Sequence, residues 1–231
     1  MTVAFVAGAT GFTGKALVAL LRERGTPAVA HVRPDSRDLQ HWQALFAGQG
    51  AQVDTAPWQL EAMTQTLKAR GVTHVFCCVG TTQARMKAHG AAQNSYEAVD
   101  YALPKLLAQA AAAAGVQRFV YLSSLGAGPN AKGAYLQWRY KAEQAVQAAG
   151  VPFTIARPSI ITGQRDQPRV AEAVAGKVLD GALGLLGMLG ATTLHNRYKS
   201  TSDARLAAAL LRLALDPALV GQVVLSEDLG E

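Results

Sequence analysis

Short apolar runs alternate along the chain with stretches in which apolar residues recur every three or four positions. The first run, Val3-Ala4-Phe5-Val6-Ala7, is followed by Ala16, Leu17, Leu20 and Leu21 at helical spacing, and Gly25 ends that helix. The same cadence predicts strands over 3–7, 28–32, 51–54, 72–79, 118–122 and 151–156. It predicts helices over 14–24 and 36–46, around Leu60, Met63 and Leu67, and over 91–114, 135–149 and 202–215. The run over 72–79 suits a parallel strand covered on both faces. Strands and helices alternating in this way imply right-handed βαβ crossovers, and so a doubly wound parallel α/β sheet. After Pro158 the regularity loosens. Residues 1–231 therefore read as one domain, with 159–231 adding a small substrate-binding lobe.

Composition narrows the class. Half of the 231 residues are hydrophobic and 16% are charged, which predicts a folded globule with its own core. The apolar start has no basic flank and runs into a glycine motif, so it reads as a first strand and not as a secretory signal. The uncharged stretch over 181–194 is shorter than the ~17–25 residues of a spanning helix, so no membrane span is expected. Its apolar part, 183–194, fits either a subunit contact in a homodimer or a core helix. Cys77 and Cys78 are adjacent, and strand alternation would point them to opposite faces. Reduced core thiols in a cytoplasmic protein are the expectation. The net charge of +6 comes from basic residues spread along the chain, often beside acids as in Arg22-Glu23-Arg24. That spread argues against nucleic acid as the main partner and suits an anionic cofactor. His31, His41, His74, His89 and His195 show no metal-ligand spacing.

The most informative motif is Gly8-Ala9-Thr10-Gly11-Phe12-Thr13-Gly14, between the first strand and the first helix. A tight turn needs Gly8, a pyrophosphate approaching the backbone needs Gly11, and close packing of helix on strand needs Gly14. Amides at the helix start, aided by the helix dipole, would then hold the phosphates, with the Thr10 and Thr13 hydroxyls adding contacts. This is the dinucleotide-binding signature of a Rossmann fold. Proteins selecting NAD usually carry an acid at the end of the second strand, about 20 residues beyond the loop, whereas a basic residue accommodates a 2′-phosphate. Here that strand runs into Arg33-Pro34-Asp35-Ser36-Arg37. Arginine offers a bidentate fork for phosphate, so Arg33 predicts NADP(H), with Ser36 and Arg37 as helpers. Asp54, ending the third strand, could touch adenine or serve as a turn acid.

Three further segments extend the picture: Phe76-Cys77-Cys78-Val79-Gly80-Thr81-Thr82, Leu122-Ser123-Ser124-Leu125-Gly126-Ala127, and Tyr135-Leu136-Gln137 with Arg157-Pro158. With the glycine loop they make the chain resemble the atypical and extended short-chain dehydrogenase/reductases, in particular the Tat-interacting-protein group of NADPH-binding oxidoreductases. The resemblance implies that Gly80 and Thr81 lie beside the riboses and that Pro158 to Ile160 line the nicotinamide amide. It implies that Ser124, with Ser123 as the fallback, orients a substrate carbonyl. It also implies a tyrosine acid paired with a lysine four residues on, which holds the ribose and lowers the tyrosine pKa. Tyr135 falls at the tyrosine position, but Arg139 stands where the lysine belongs, and that swap is not conservative.

Three functions follow as expectations. The first is an NADPH-dependent oxidoreductase acting on a small carbonyl or quinone-like substrate, with Tyr135 as acid, Ser124 as orienter and Arg139 as ribose clamp. The second is a non-catalytic NADP(H)-binding, redox-sensing module, suggested by the missing lysine. The third is a nucleotide-sugar epimerase-type enzyme, disfavoured by the short C-terminal lobe. Asp100, in the long helix, reads as a satisfied buried acid.

Overall fold

The structure is a computed structural model and describes residues 2–82, 86, 95–159, 161–162 and 201–229. Strand β1 (Ala4–Ala7) leads through the glycine loop into α1 (Phe12–Glu23). There follow β2 (Ala28–His31), α2 (Leu39–Gly48), β3 (Gln52–Asp54), α3 (Leu60–Ala69) and β4 (His74–Cys77). A π-helical segment, Tyr96–Ala102, runs into α4 (Leu103–Ala114), then β5 (Arg118–Leu122), α5 (Ala134–Ala148) and β6 (Phe153–Arg157). The chain ends with the short pair β7 (Ile161–Thr162) and β8 (Thr201–Ser202), α6 (Asp203–Leu215), β9 (Gln222–Leu225) and α7 (Ser226–Leu229).

The main sheet has the order β3-β2-β1-β4-β5-β6-β9, and every neighbouring pair is parallel. This is the doubly wound fold expected from the pattern, and its strand order reverses between β1 and β4. Alternation along β1 explains why both faces need helices. Ala4 and Val6 join one core with Leu17, Val18 and Leu21 of α1 and Leu206, Leu210 and Leu213 of α6. Phe5 and Ala7 join the other with Met63 and Leu67 of α3, Leu107 of α4 and Val146 of α5. Cys77 lies in the second core and Cys78 packs against the first, and both thiols are free, as strand alternation predicts.

Two elements differ from the expectation. The helix expected over 91–114 is, within the described residues, a wide π-helical segment followed by an α-helix with Pro104 near its start. Proline lacks the amide that would continue the ladder, so the hydrogen-bond pattern changes there. Residues 201–229 give α6, expected over 202–215, to one face of the sheet and add at its edge the strand β9, which the pattern did not predict. The strand Gln222–Leu225 is short and half-exposed, which leaves almost no alternation to read. Residues 163–200, including the apolar stretch weighed as a dimer contact, lie outside the described residues. No described helix is long and apolar enough to cross a membrane.

Candidate functional site

The glycine loop closes the carboxyl end of β1 beside the strand-order reversal. Gly8 has φ +77°, and a Cβ on it would stand 2.7 Å from the Cys78 carbonyl carbon and oxygen. A Cβ on Gly14 would stand 2.8 Å from Ala9 Cα and closer still to the Gly8 oxygen. The Gly11 amide donates to the Gly8 carbonyl (2.9 Å), which tightens the turn. Gly11 is the N-cap of α1 and has no side chain of its own to hold the first amides. Backbone packed this tightly at a helix start is a cradle for a pyrophosphate, so the residues present fit a dinucleotide. Thr13 is buried, while Thr10 and Phe12 are half-buried along the same turn.

Arg33, just past β2, is exposed and pairs loosely with Asp35 at 3.8 Å, and Arg37 is exposed nearby. Asp54 proves to be a turn acid. Its Oδ1 accepts the Ala56 amide (2.9 Å), and its Oδ2 pairs with Arg70 Nη2 (3.2 Å). Beside it, His31 Nε2 meets the Ala56 carbonyl at 2.9 Å. Burial holds that imidazole below its ordinary pKa of 6.5.

The other half of the site is built where β4 and β5 end. Ser123 donates to Glu143, a fully buried carboxylate of α5 that also takes Arg157 Nε at 2.9 Å and a second bond from Arg157 Nη2. That bond occupies the hydroxyl proton of Ser123. Ser124 is half-buried, with its hydroxyl 3.3 Å from the Leu125 carbonyl. Leu125 donates its amide to Pro158 (2.8 Å), which ties the Ser-Ser turn to the end of β6. Ile160 lies outside the described residues.

Arg139 sits where the resemblance implies a ribose-holding group, but the fold turns it inward. Its side chain is 7% exposed. Nη1 donates to the Tyr121 hydroxyl (3.0 Å) and to the carbonyls of Val79 (3.2 Å) and Leu122 (2.9 Å). Nη2 pairs with Asp100 Oδ1 at 3.1 Å. Asp100 comes from the π-helical segment, is fully buried, and accepts the Thr81 amide at 3.2 Å. Burial pushes its carboxyl up to about 6 against the pull of Arg139. Burial likewise raises Tyr121; at Arg139 burial pulls downward, but Tyr121, Tyr135 and Asp100 around it outweigh that and hold it above its ordinary value.

A Cβ on Gly80 would collide with Arg139 Nη2, so this glycine makes room for the guanidinium. Tyr135, half-buried at the start of α5, lies with its ring centroid 5.4 Å from Arg139 Cζ and 5.4 Å from the Tyr96 ring. Asp100, Tyr121 and Glu143 were not among the expected site residues. The signals that could have found them were the arginines at 139, for Asp100 and Tyr121, and at 157, for Glu143, since a buried cation needs nearby acceptors.

Fold and site together define a Rossmann-type α/β protein with a dinucleotide-binding glycine loop. More narrowly, the chain belongs to the family described as NAD(P)H-binding, whose model matches residues 8–182. It is similar to the protein fmp52, mitochondrial, of Emericella nidulans, at 34% identity over 77% of this chain and 74% of that protein. It is also similar to NADH dehydrogenase [ubiquinone] 1 alpha subcomplex subunit 9, mitochondrial, of Mus musculus, at 28% identity over 71% of this chain and 42% of that protein. Among solved structures, a short-chain dehydrogenase/reductase superfamily protein from Agrobacterium tumefaciens with bound NAD superposes with TM-score 0.65. It shares 19% identity and covers 96% of this chain and 76% of that one. ChuY, an anaerobillin reductase from Escherichia coli O157:H7, superposes with TM-score 0.64 and 22% identity, covering 96% and 95%. These two likenesses show the fold. The curated relatives are named mitochondrial, which overturns the cytoplasmic expectation.

Proposed function

We propose that the protein is an NADPH-dependent oxidoreductase acting on a small carbonyl or quinone-like substrate. The observation that carries this reading is Tyr135, half-buried at the carboxyl edge of the sheet, with its ring over the permanently charged Arg139. When bound, the nicotinamide supplies the hydride. Gly8, Gly11 and Gly14, with the backbone of Phe12 and the hydroxyls of Thr10 and Thr13, hold the pyrophosphate at the start of α1. Arg33 binds the 2′-phosphate, which its exposure and loose pairing with Asp35 leave it able to do. Gly80 and Thr81 present backbone to the ribose, while Pro158 flanks the nicotinamide amide. Ser124 orients the substrate oxygen, because Ser123 is committed to Glu143, and Tyr135 donates the proton that accompanies hydride transfer. The mitochondrial names of the curated relatives support a mitochondrial setting.

A second reading, a non-catalytic NADP(H)-binding module, is favoured by the inward commitment of Arg139. Fluorescence titration with NADPH and NADH, followed by turnover on a panel of small quinones and aldehydes, separates the two. The oxidoreductase reading expects tighter NADPH than NADH binding. Arg33→Ala erases that preference, a change of about tenfold or more for a charge-assisted phosphate contact. Tyr135→Phe lowers turnover about a hundredfold or more, to a measurable residual rate, with NADPH affinity kept. NADPH binding with no turnover of any panel member would favour the module, and no binding of either nucleotide would overturn both.

A further inference from the structure

We propose that Asp100 is a positioning residue of this reaction, acting through Arg139, whose guanidinium it holds beneath the Tyr135 ring and against the tips of β4 and β5. The proposal rests on the oxidoreductase reading and assigns Arg139 a different task from holding ribose. The geometry supplies the reasons. Three acceptors, Val79 O, Tyr121 Oη and Leu122 O, share Nη1, and Asp100 takes Nη2. The remaining Nε is enclosed, with no acceptor among the described residues. Neither terminal nitrogen can swing outward to a cofactor hydroxyl without breaking these buried bonds, and Nε is enclosed away from the surface.

What the pair does instead is join three parts of the site. Asp100 binds the amide of Thr81, in the loop proposed to meet the ribose. Arg139 ties that loop to the end of β5, next to Ser123 and Ser124. Tyr135 stands one helical turn before Arg139 on α5 and packs over its charge. The π-helical segment Tyr96–Ala102 delivers Asp100 to this depth, and such segments recur at functional sites. Gly80 completes the unit, because the pinned guanidinium occupies the space a side chain would need. Lysine could not replace Arg139 here. Its three donors from a single nitrogen cannot span four acceptors on separate elements.

The test compares Asp100→Asn and Arg139→Lys in the wild-type and Tyr135→Phe backgrounds, measuring NADPH affinity by fluorescence and turnover on the quinone and aldehyde panel. Melting temperature identifies folded variants. If Arg139→Lys does not fold, Tyr121→Phe, which removes one acceptor hydroxyl, takes its place. In the wild-type background each variant is expected to lower kcat about tenfold or more, as small misplacements of reacting groups do. NADPH affinity changes by less than about threefold, since no ribose contact is lost. In the Tyr135→Phe background the same substitutions leave the residual rate within about twofold, because their effect runs through the tyrosine. Equal fold-losses in both backgrounds would show a merely structural role and overturn the proposal. So would a tenfold loss of NADPH affinity with kcat intact, which would return Arg139 to the ribose. A wild-type protein that binds no NADPH or turns over no panel member would remove the oxidoreductase reading and this proposal with it.

Discussion

Gly14→Ala sets two elementary effects against each other. Gly14 lies in the first turn of α1, with no left-handed backbone to accommodate. Helix propensity alone says alanine should stabilise by up to about 1 kcal/mol. The packing says the opposite. The new Cβ would stand 2.8 Å from Ala9 Cα and from the Gly8 carbonyl carbon, where ordinary contact begins at 3.4 Å. These are backbone atoms of a turn held by the Gly11-to-Gly8 hydrogen bond, so no side chain can rotate away. The start of α1 must move instead, and overpacking of this kind costs about 1–3 kcal/mol, enough to outweigh the propensity gain.

For a chain of this size that corresponds to a melting temperature lower by roughly 2–4 °C per kcal/mol. The displaced amides are the proposed pyrophosphate cradle, so NADPH affinity should fall about tenfold or more alongside stability. Gly48, at the end of α2, is the internal control. Nothing lies within 4 Å of a Cβ built there, and its backbone is not left-handed. Gly48→Ala is expected to stabilise by about 0.5 kcal/mol and leave NADPH binding unchanged. Circular dichroism melts and fluorescence titration of the two variants give the answer. A Gly14→Ala protein at least as stable as wild type, with undiminished affinity, would refute the steric reading of the loop.

The buried pair of α5 and β6 gives a second prediction. Arg157→Ala leaves the fully buried Glu143 carboxylate, among the described residues, with Ser123 as its remaining side-chain hydrogen-bond donor. The expected loss is about 3–5 kcal/mol in urea denaturation, with most of it recovered in the double variant Arg157→Met/Glu143→Leu. A loss below about 1 kcal/mol would show that the pair is not needed. His31 gives a third. Because burial lowers its folded-state pKa below 6.5, the unfolded chain takes up the proton more readily. The contribution is therefore complete above pH 6.5 and is lost as the pH falls through the lower folded value. The stability difference between wild type and His31→Gln should shrink from about pH 7.5 to about pH 5.5, and a difference that grows on acidification would contradict the assignment.

What the sequence alone determined was everything local. Period-two and period-3.6 patterning places each strand and helix up to β6, because burial of one or both faces is written directly into the residues that line them. The glycine loop is legible for the same reason. Gly8 and Gly14 are required by contacts within or beside their own turn, which a spacing rule captures. The strand β9 escaped because a short, half-exposed edge strand carries little pattern and is placed by the β6 edge it completes.

What only the tertiary structure decided is the direction of the charged side chains. Position 139 announces an arginine, but its partners lie 17, 18, 39 and 60 residues away, in Leu122, Tyr121, Asp100 and Val79. Gly80 reads as a cofactor-lining glycine, and only the folded chain shows that its missing side chain also makes room for a guanidinium. Ser123 and Ser124 are indistinguishable as a dipeptide, and Glu143, 20 residues from Ser123, commits one of them. Buried charges must find counter-charges wherever the packing puts them. That search runs through space and not along the chain, so no local pattern records its outcome.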